Sequence, residues 1–130
     1  MAFGYRHFMI DHTGVPVADL QKSIVFYKAA LAPLGYELIM QHEHFAGFGV
    51  KGKPDFWLSQ GPVGTSIHIA FAADRRSTVK AFYQAALAAN GRDNGAPGVR
   101  EMYHPHYFGA FVLDPDGHNI EAVCHLPYLG

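Results

Sequence analysis

Only one cysteine, Cys124, occurs in the 130 residues of this chain. No disulfide can form within it, so a packed core has to hold the fold, and a reducing compartment is the expected setting. The sequence also lacks an excess of charge. Ten Lys and Arg against eleven Asp and Glu leave a formal net charge of −1. No run of like charge stands out, and neither nucleic acid nor an anionic membrane surface is an expected partner. The apolar stretches are too short and too interrupted to span a bilayer. Residues Met1–His7 show no basic segment leading into an apolar run and a cleavage site, and a cytoplasmic protein is the expectation.

What is present is core material and an internal repeat. Hydrophobic residues make up 49% of the chain, enough for one compact domain over residues 1–130. Phe26-Tyr27-Lys28-Ala29-Ala30-Leu31-Ala32 recurs 56 residues on as Phe82-Tyr83-Gln84-Ala85-Ala86-Leu87-Ala88. The same offset carries His12 onto His68 and Gly35 onto Gly91. Such a repeat signals two copies of one supersecondary unit.

Each copy predicts a strand, a helix and three further strands. The first helix has Asp19 as N-cap, Leu20, Ile24, Tyr27, Leu31 and Leu34 at helical spacing, and Gly35 as its stop. Pro33 predicts an irregular last turn. The second has Asp74 as N-cap, Val79, Phe82, Ala86 and Ala89 on one face, and Asn90-Gly91 at its end. In the strands, Thr13, Val15 and Val17 face one way, His12 and Gly14 the other. Ile67, Ile69 and Phe71 oppose His68, Ala70 and Ala72. Ile120, Ala122 and Cys124 oppose Glu121, Val123 and His125. Asp114-Pro115-Asp116-Gly117 reads as a type I turn joining Phe108–Leu113 to the last strand, and Lys51–Asp55 as the matching hairpin. Gly91–His106 reads as a loop holding at most one short strand. The fold class is α+β, with modules at about 8–60 and 66–126.

Of nine histidines, His7, His42, His44 and His118 read as surface or turn residues. His12 and His68 differ: they hold equivalent places in the two copies, on faces of small residues. An inward carboxylate such as Glu121 is costly unless paired, protonated or metal-bound. Two imidazoles and a carboxylate on rigid strands form a 2-His-1-carboxylate set that leaves positions open for substrate. The pseudo-twofold relation between the copies would bring the histidines together.

Asp11-His12-Thr13-Gly14-Val15, Ile67-His68-Ile69-Ala70-Phe71 and the closing Asp114-Pro115-Asp116-Gly117-His118-Asn119-Ile120-Glu121 resemble the vicinal oxygen chelate superfamily, which includes glyoxalases, bleomycin resistance proteins and extradiol dioxygenases. Pro54-Asp55-Phe56-Trp57 and Arg92–Gly98 resemble its glyoxalase-like branch. The resemblance implies two tandem βαβββ modules, each sheet curled as an incomplete barrel around a metal site. It implies His12, His68 and Glu121 as ligands of a divalent Zn, Fe, Mn or Ni ion. It further implies a small substrate chelated through vicinal oxygens, lyase or isomerase chemistry, and a homodimer that can share its sites between chains. The apolar tail Leu126–Leu129 could cover part of the dimer contact. The alternatives are ring-cleaving dioxygenation at Fe(II) and a non-catalytic small-molecule binder.

Departures from the family pattern narrow the choice. Glyoxalase I places a further carboxylate ligand on the last strand of the first module; aligning Phe48–Ser59 with Phe111–Val123 sets Trp57 there. Tryptophan cannot ligate, and Trp57 reads as a cavity wall able to stack on a substrate. His104 matches the histidine of the dioxygenase signature and is a candidate general base. Phe111 stands where that signature has tyrosine, so Tyr107 or Tyr103 would have to reach in, and Tyr107 is the catalytic candidate. His106 beside it is a candidate substrate contact on a lid. Only Arg92 and Arg100 lie near enough in sequence to meet an anionic group.

Overall fold

The computed structural model describes residues 9–128. Met1–Phe8, with His7 and the start of the first module, and Leu129 of the apolar tail lie outside the described residues. The first module runs β1 (Thr13–Val17), α1 (Leu20–Leu31), β2 (Glu37–Gln41), β3 (Phe45–Val50) and β4 (Lys53–Gln60). The second runs β5 (His68–Ala72), α2 (Arg76–Ala88), β6 (Arg92–Val99), β7 (Phe108–Leu113) and β8 (Asn119–Cys124). Each module is one four-stranded mixed sheet, ordered β1-β4-β3-β2 and β5-β8-β7-β6. In each, the first strand pairs in parallel with the last and the remaining pairs are antiparallel. This is the expected pair of βαβββ units, with neither sheet closed.

Local chemistry explains most boundaries. Asp19 caps α1 by accepting from the Lys22 backbone N–H at 3.2 Å. Pro33 turns the end of that helix into a 3-10 turn, Ala32–Leu34, which stops at left-handed Gly35 with φ 87°. Lys51 and Gly52 both have positive φ and form a two-residue hairpin, so Pro54 and Asp55 belong to β4 rather than to the turn. In the Asp114–Gly117 turn the Gly117 N–H donates to the Asp114 carbonyl at 2.9 Å, as a type I turn requires.

Three expectations need correction. The N-cap of α2 is Arg75, with no capping side chain, not Asp74. The stretch expected to be mostly loop holds an eight-residue strand, β6, whose pairing to β7 breaks register twice around Gly95. His118, expected at a surface or turn, is fully buried.

The helices pack on one another beneath both sheets. Tyr27, Phe26, Phe48, Phe56, Leu58, Phe82 and Ile120 lie in that shared core with almost no solvent access. The Phe56 and Phe71 rings meet edge-on at 5.2 Å between centroids, which ties β4 of one module to β5 of the other.

Polar groups latch the same seam. The Tyr27 hydroxyl donates to the buried Asp114 carboxylate across 87 residues of sequence. The other Asp114 oxygen accepts from the Asp116 and His118 backbone N–H groups. The Ile67 N–H donates to His118 Nδ1 at 3.1 Å, so the proton of the neutral ring is on Nε2, which donates to the Pro16 carbonyl at 2.8 Å. One buried imidazole thereby joins β1 to the last turn of the chain. Tyr27→Phe removes the donor and leaves a buried carboxylate oxygen without its partner. It should cost about 1–3 kcal/mol in urea unfolding; an unchanged midpoint would show that the latch contributes nothing.

Candidate metal centre

Strand register relates the centres of the two sheets position by position. Gly14 pairs with Trp57 across β1 and β4, and Ala70 pairs with Glu121 across β5 and β8. Gly47 pairs with Trp57, and Phe111 pairs with Glu121. Trp57 therefore occupies the place in the first sheet that Glu121 occupies in the second, as the sequence alignment expects. A Cβ on Gly47 would lie 2.7 Å from the indole ring, so the ring lies flat over that glycine. Phe45 stands beside it at 5.9 Å and His42 stacks on Phe45 at 4.5 Å. The open face of the first sheet is an aromatic shelf, and that of the second carries the polar pair.

The polar pair is His68 and Glu121. Period two places His68, Ala70 and Ala72 on the exposed face of β5 while Phe71 enters the core. His68 Nδ1 lies 3.0 Å from the Asn119 carbonyl, which can only accept, so Nδ1 carries the proton. The other nitrogen, Nε2, lies 3.1 Å from Glu121 Oε1. Glu121 is 1% exposed. With a neutral imidazole, two acceptors face each other across this gap, and a proton or a cation must lie between them. The second Glu121 oxygen accepts from the Tyr107 hydroxyl at 2.5 Å. Burial first, then the Glu121 carboxylate, holds the Tyr107 hydroxyl well above its ordinary pKa, so it remains a donor. Gly109 leaves room for this arrangement, since a Cβ there would sit 3.1 Å from Oε2.

Tyr107 is delivered by a tight loop. The Arg100 N–H donates to the Tyr107 carbonyl at 2.7 Å, and the Tyr107 N–H to the His104 carbonyl at 3.1 Å. In the same loop the His106 backbone N–H donates to His104 Nδ1 at 3.1 Å, which puts the His104 proton on Nε2. That proton points at His125 Nδ1, 2.9 Å away. Both His104 nitrogens are thus engaged, and the unengaged nitrogen of the pair is His125 Nε2. Both rings pack on Tyr107. Sequence reasoning put His125 on the Glu121 face by alternation but gave it no role. The His106 side chain is exposed, and only its backbone serves this cluster.

His12 is prepared in the same manner as His68. Its Nδ1 lies 2.7 Å from Asp11 Oδ1, a carboxylate that Lys53 also approaches at 3.3 Å. The hydrogen bond from His12, then that from Lys53, hold Asp11 below its ordinary pKa. As an acceptor, Asp11 fixes the proton on Nδ1 and leaves Nε2 free to ligate. His12 and His68 both line a cleft of about 600 Å³ between the modules, with Tyr36 and Asp55. Among the described residues, however, no three His, Cys, Asp or Glu side chains converge on one point. Hydrogen bonds and ring contacts join His68, Glu121 and Tyr107 to His104 and His125; His12 shares a cleft with His68 without joining this cluster, and Trp57 and the His106 side chain take no part in it. The donors themselves suit a divalent first-row metal: an oriented imidazole, a buried carboxylate and a hydrogen bond fixing each.

Comparison with known proteins agrees with this fold. The sequence profile of the Glyoxalase/Bleomycin resistance protein/Dioxygenase superfamily matches residues 9–122. A crystal structure of a glyoxalase/bleomycin resistance protein from Albidiferax ferrireducens is 26% identical, with a TM-score of 0.80 over 92% of this chain and 100% of that one. A putative glyoxalase from Bacillus halodurans is 23% identical, with a TM-score of 0.69 over 92% and 98%. A lactoylglutathione lyase from Agrobacterium tumefaciens shares the fold at 17% identity and a TM-score of 0.67, over 88% and 92%. No protein with a curated description matches the chain. With its profile match spanning nearly all the described residues and its paired βαβββ modules, the chain belongs to the glyoxalase/bleomycin resistance protein/dioxygenase superfamily.

Proposed function

We propose that this chain is a glyoxalase-like metalloenzyme that works as a homodimer on a small organic substrate with vicinal oxygens. The observation that carries the reading is the pair of acceptors at His68 and Glu121, both oriented by their neighbours and facing each other 3.1 Å apart. In this reading His68 and Glu121 of one copy and His12 of the other hold a divalent ion, Zn, Fe, Mn or Ni. The exposed aromatic shelf around Trp57 then faces the polar pair of the second copy. When bound, the ion supplies Lewis-acid stabilisation to an enolate or similar oxyanion.

The chain's own groups do the remaining work. Tyr107 holds Glu121 in one orientation. His104 and His125 form a proton-carrying pair whose outer nitrogen, His125 Nε2, can exchange with substrate, while His104 positions it. Trp57 forms a wall against which a planar substrate lies. The Tyr107 hydroxyl is committed to Glu121, which leaves it unavailable to a ring-cleaving mechanism and favours lyase or isomerase chemistry. The retained donor pair favours an enzyme over a plain binder. Among the described residues no helix is long and apolar enough to cross a membrane. The single cysteine is a buried free thiol, which supports a cytoplasmic location.

Thermal melting with chelator and with added metal tests the centre. Metal at a hundred times its dissociation constant should stabilise the wild type by about 2.7 kcal/mol. Glu121→Gln keeps the shape, removes the charge and should lose most of that gain. Equal metal-induced shifts in both proteins would remove Glu121 from the ligand set. Tyr107→Phe should weaken metal binding roughly ten- to a hundred-fold while the fold persists. Calorimetric titration of metal into that variant measures it, and wild-type affinity would show that the hydroxyl plays no part.

A further inference from the structure

The second module carries a cation that the metal centre leaves unused. β6 is rich in small residues, and its pairing to β7 skips from Gly95–Phe111 to Gly98–Gly109. The bulge forms a cradle. The Arg100 guanidinium lies in it, with Nη1 donating to the Gly98 carbonyl at 2.8 Å and Nη2 to the Ala96 carbonyl at 2.7 Å. A Cβ on Gly95 would sit 3.1 Å from Nη2, and one on Gly98 3.2 Å from Nη1. The two glycines therefore make the space that the guanidinium fills. Its carbon lies 5.4 Å from the centroid of Phe111, on the strand position facing Glu121, and Phe111 in turn stacks on His68 at 6.2 Å.

Hydrogen bonds from two of the five guanidinium N–H groups to backbone carbonyls fix its plane and leave the others available. Among the described residues no carboxylate pairs with Arg100. A partly exposed, oriented guanidinium beside the open face, with no carboxylate partner among the described residues, can take an anion.

We propose that Arg100 anchors a second, negatively charged group of the substrate, so that the molecule chelated at the metal is an organic acid. Its charge lies one to two strand spacings, about 5–10 Å, from the chelating oxygens. This deepens the reading of the metal centre and rests on it. Phe111, against both His68 and the Arg100 guanidinium, bounds the apolar length between the two ends.

Two probes with the same chelating end isolate the effect. 2-Oxoglutarate carries a distal carboxylate, and 2-oxopentanoate has a methyl group in its place. Titrated into metal-loaded wild type, 2-oxoglutarate should bind roughly ten- to a hundred-fold more tightly. In Arg100→Gln the two should bind alike, with metal affinity near wild type and a melting temperature lowered by the loss of the hydrogen bonds to Ala96 and Gly98. Arg100→Lys keeps the charge, loses the fork and should retain part of the preference, which separates an anion anchor from a purely structural residue. Equal binding of the two acids by the wild type, or a preference unchanged in Arg100→Gln, overturns the inference. A wild type that takes up no metal overturns the reading of the centre, and the inference with it.

Discussion

A proton or a cation must lie between His68 Nε2 and Glu121 Oε1, which are held 3.1 Å apart with the carboxylate almost wholly buried and the imidazole about half exposed. The surrounding structure acts to keep this arrangement. Asn119 fixes which His68 nitrogen faces inward, Tyr107 occupies the far oxygen of Glu121, and Gly109 gives the carboxylate room. Each element contributes stiffness: β5 and β8 pair in parallel through five successive residues, and the Arg100–Tyr107 loop is closed by its own backbone. A divalent ion held there, as proposed, would couple metal affinity to fold stability.

The seam between the modules serves the same end from below. Tyr27, Asp114 and His118 join the two halves through buried hydrogen bonds, and the helices share one core. Both sheets then present their open faces with Trp57 and Glu121 at equivalent positions. Divergence at that one position separates their chemistry. A tryptophan over Gly47 makes an apolar shelf where a carboxylate would have made a second polar site.

The repeat made the architecture legible, because a 56-residue offset equates strands, helices and both histidines without any structure. Glu121 was legible from alternation after a Pro-Gly turn, and Trp57 from the alignment of the halves. β6 was not, since Gly95, Pro97 and Gly98 carry the composition of a loop; the glycines are there because the strand bulges around Arg100. The burial of His118 was hidden because its partners lie 51 and 102 residues away. His125 was hidden in the same way, its role resting on a hydrogen bond to His104 across 21 residues. His12 shares a cleft with His68, yet no three such donors converge among the described residues; the proposed sharing of ligands between chains would be invisible to a pattern within one chain.

A mixing experiment addresses the assembly directly. His12→Ala and His68→Ala chains should each bind metal weakly as homodimers. Unfolded together and refolded, the two should form heterodimers in which, on the proposed reading, one site has an intact His12 from one chain and an intact His68 and Glu121 from the other. Elemental analysis of the isolated heterodimer should find one tightly bound metal per two chains. A heterodimer as poor in metal as its parents would contradict a shared centre and require the ligands of each site to come from one chain.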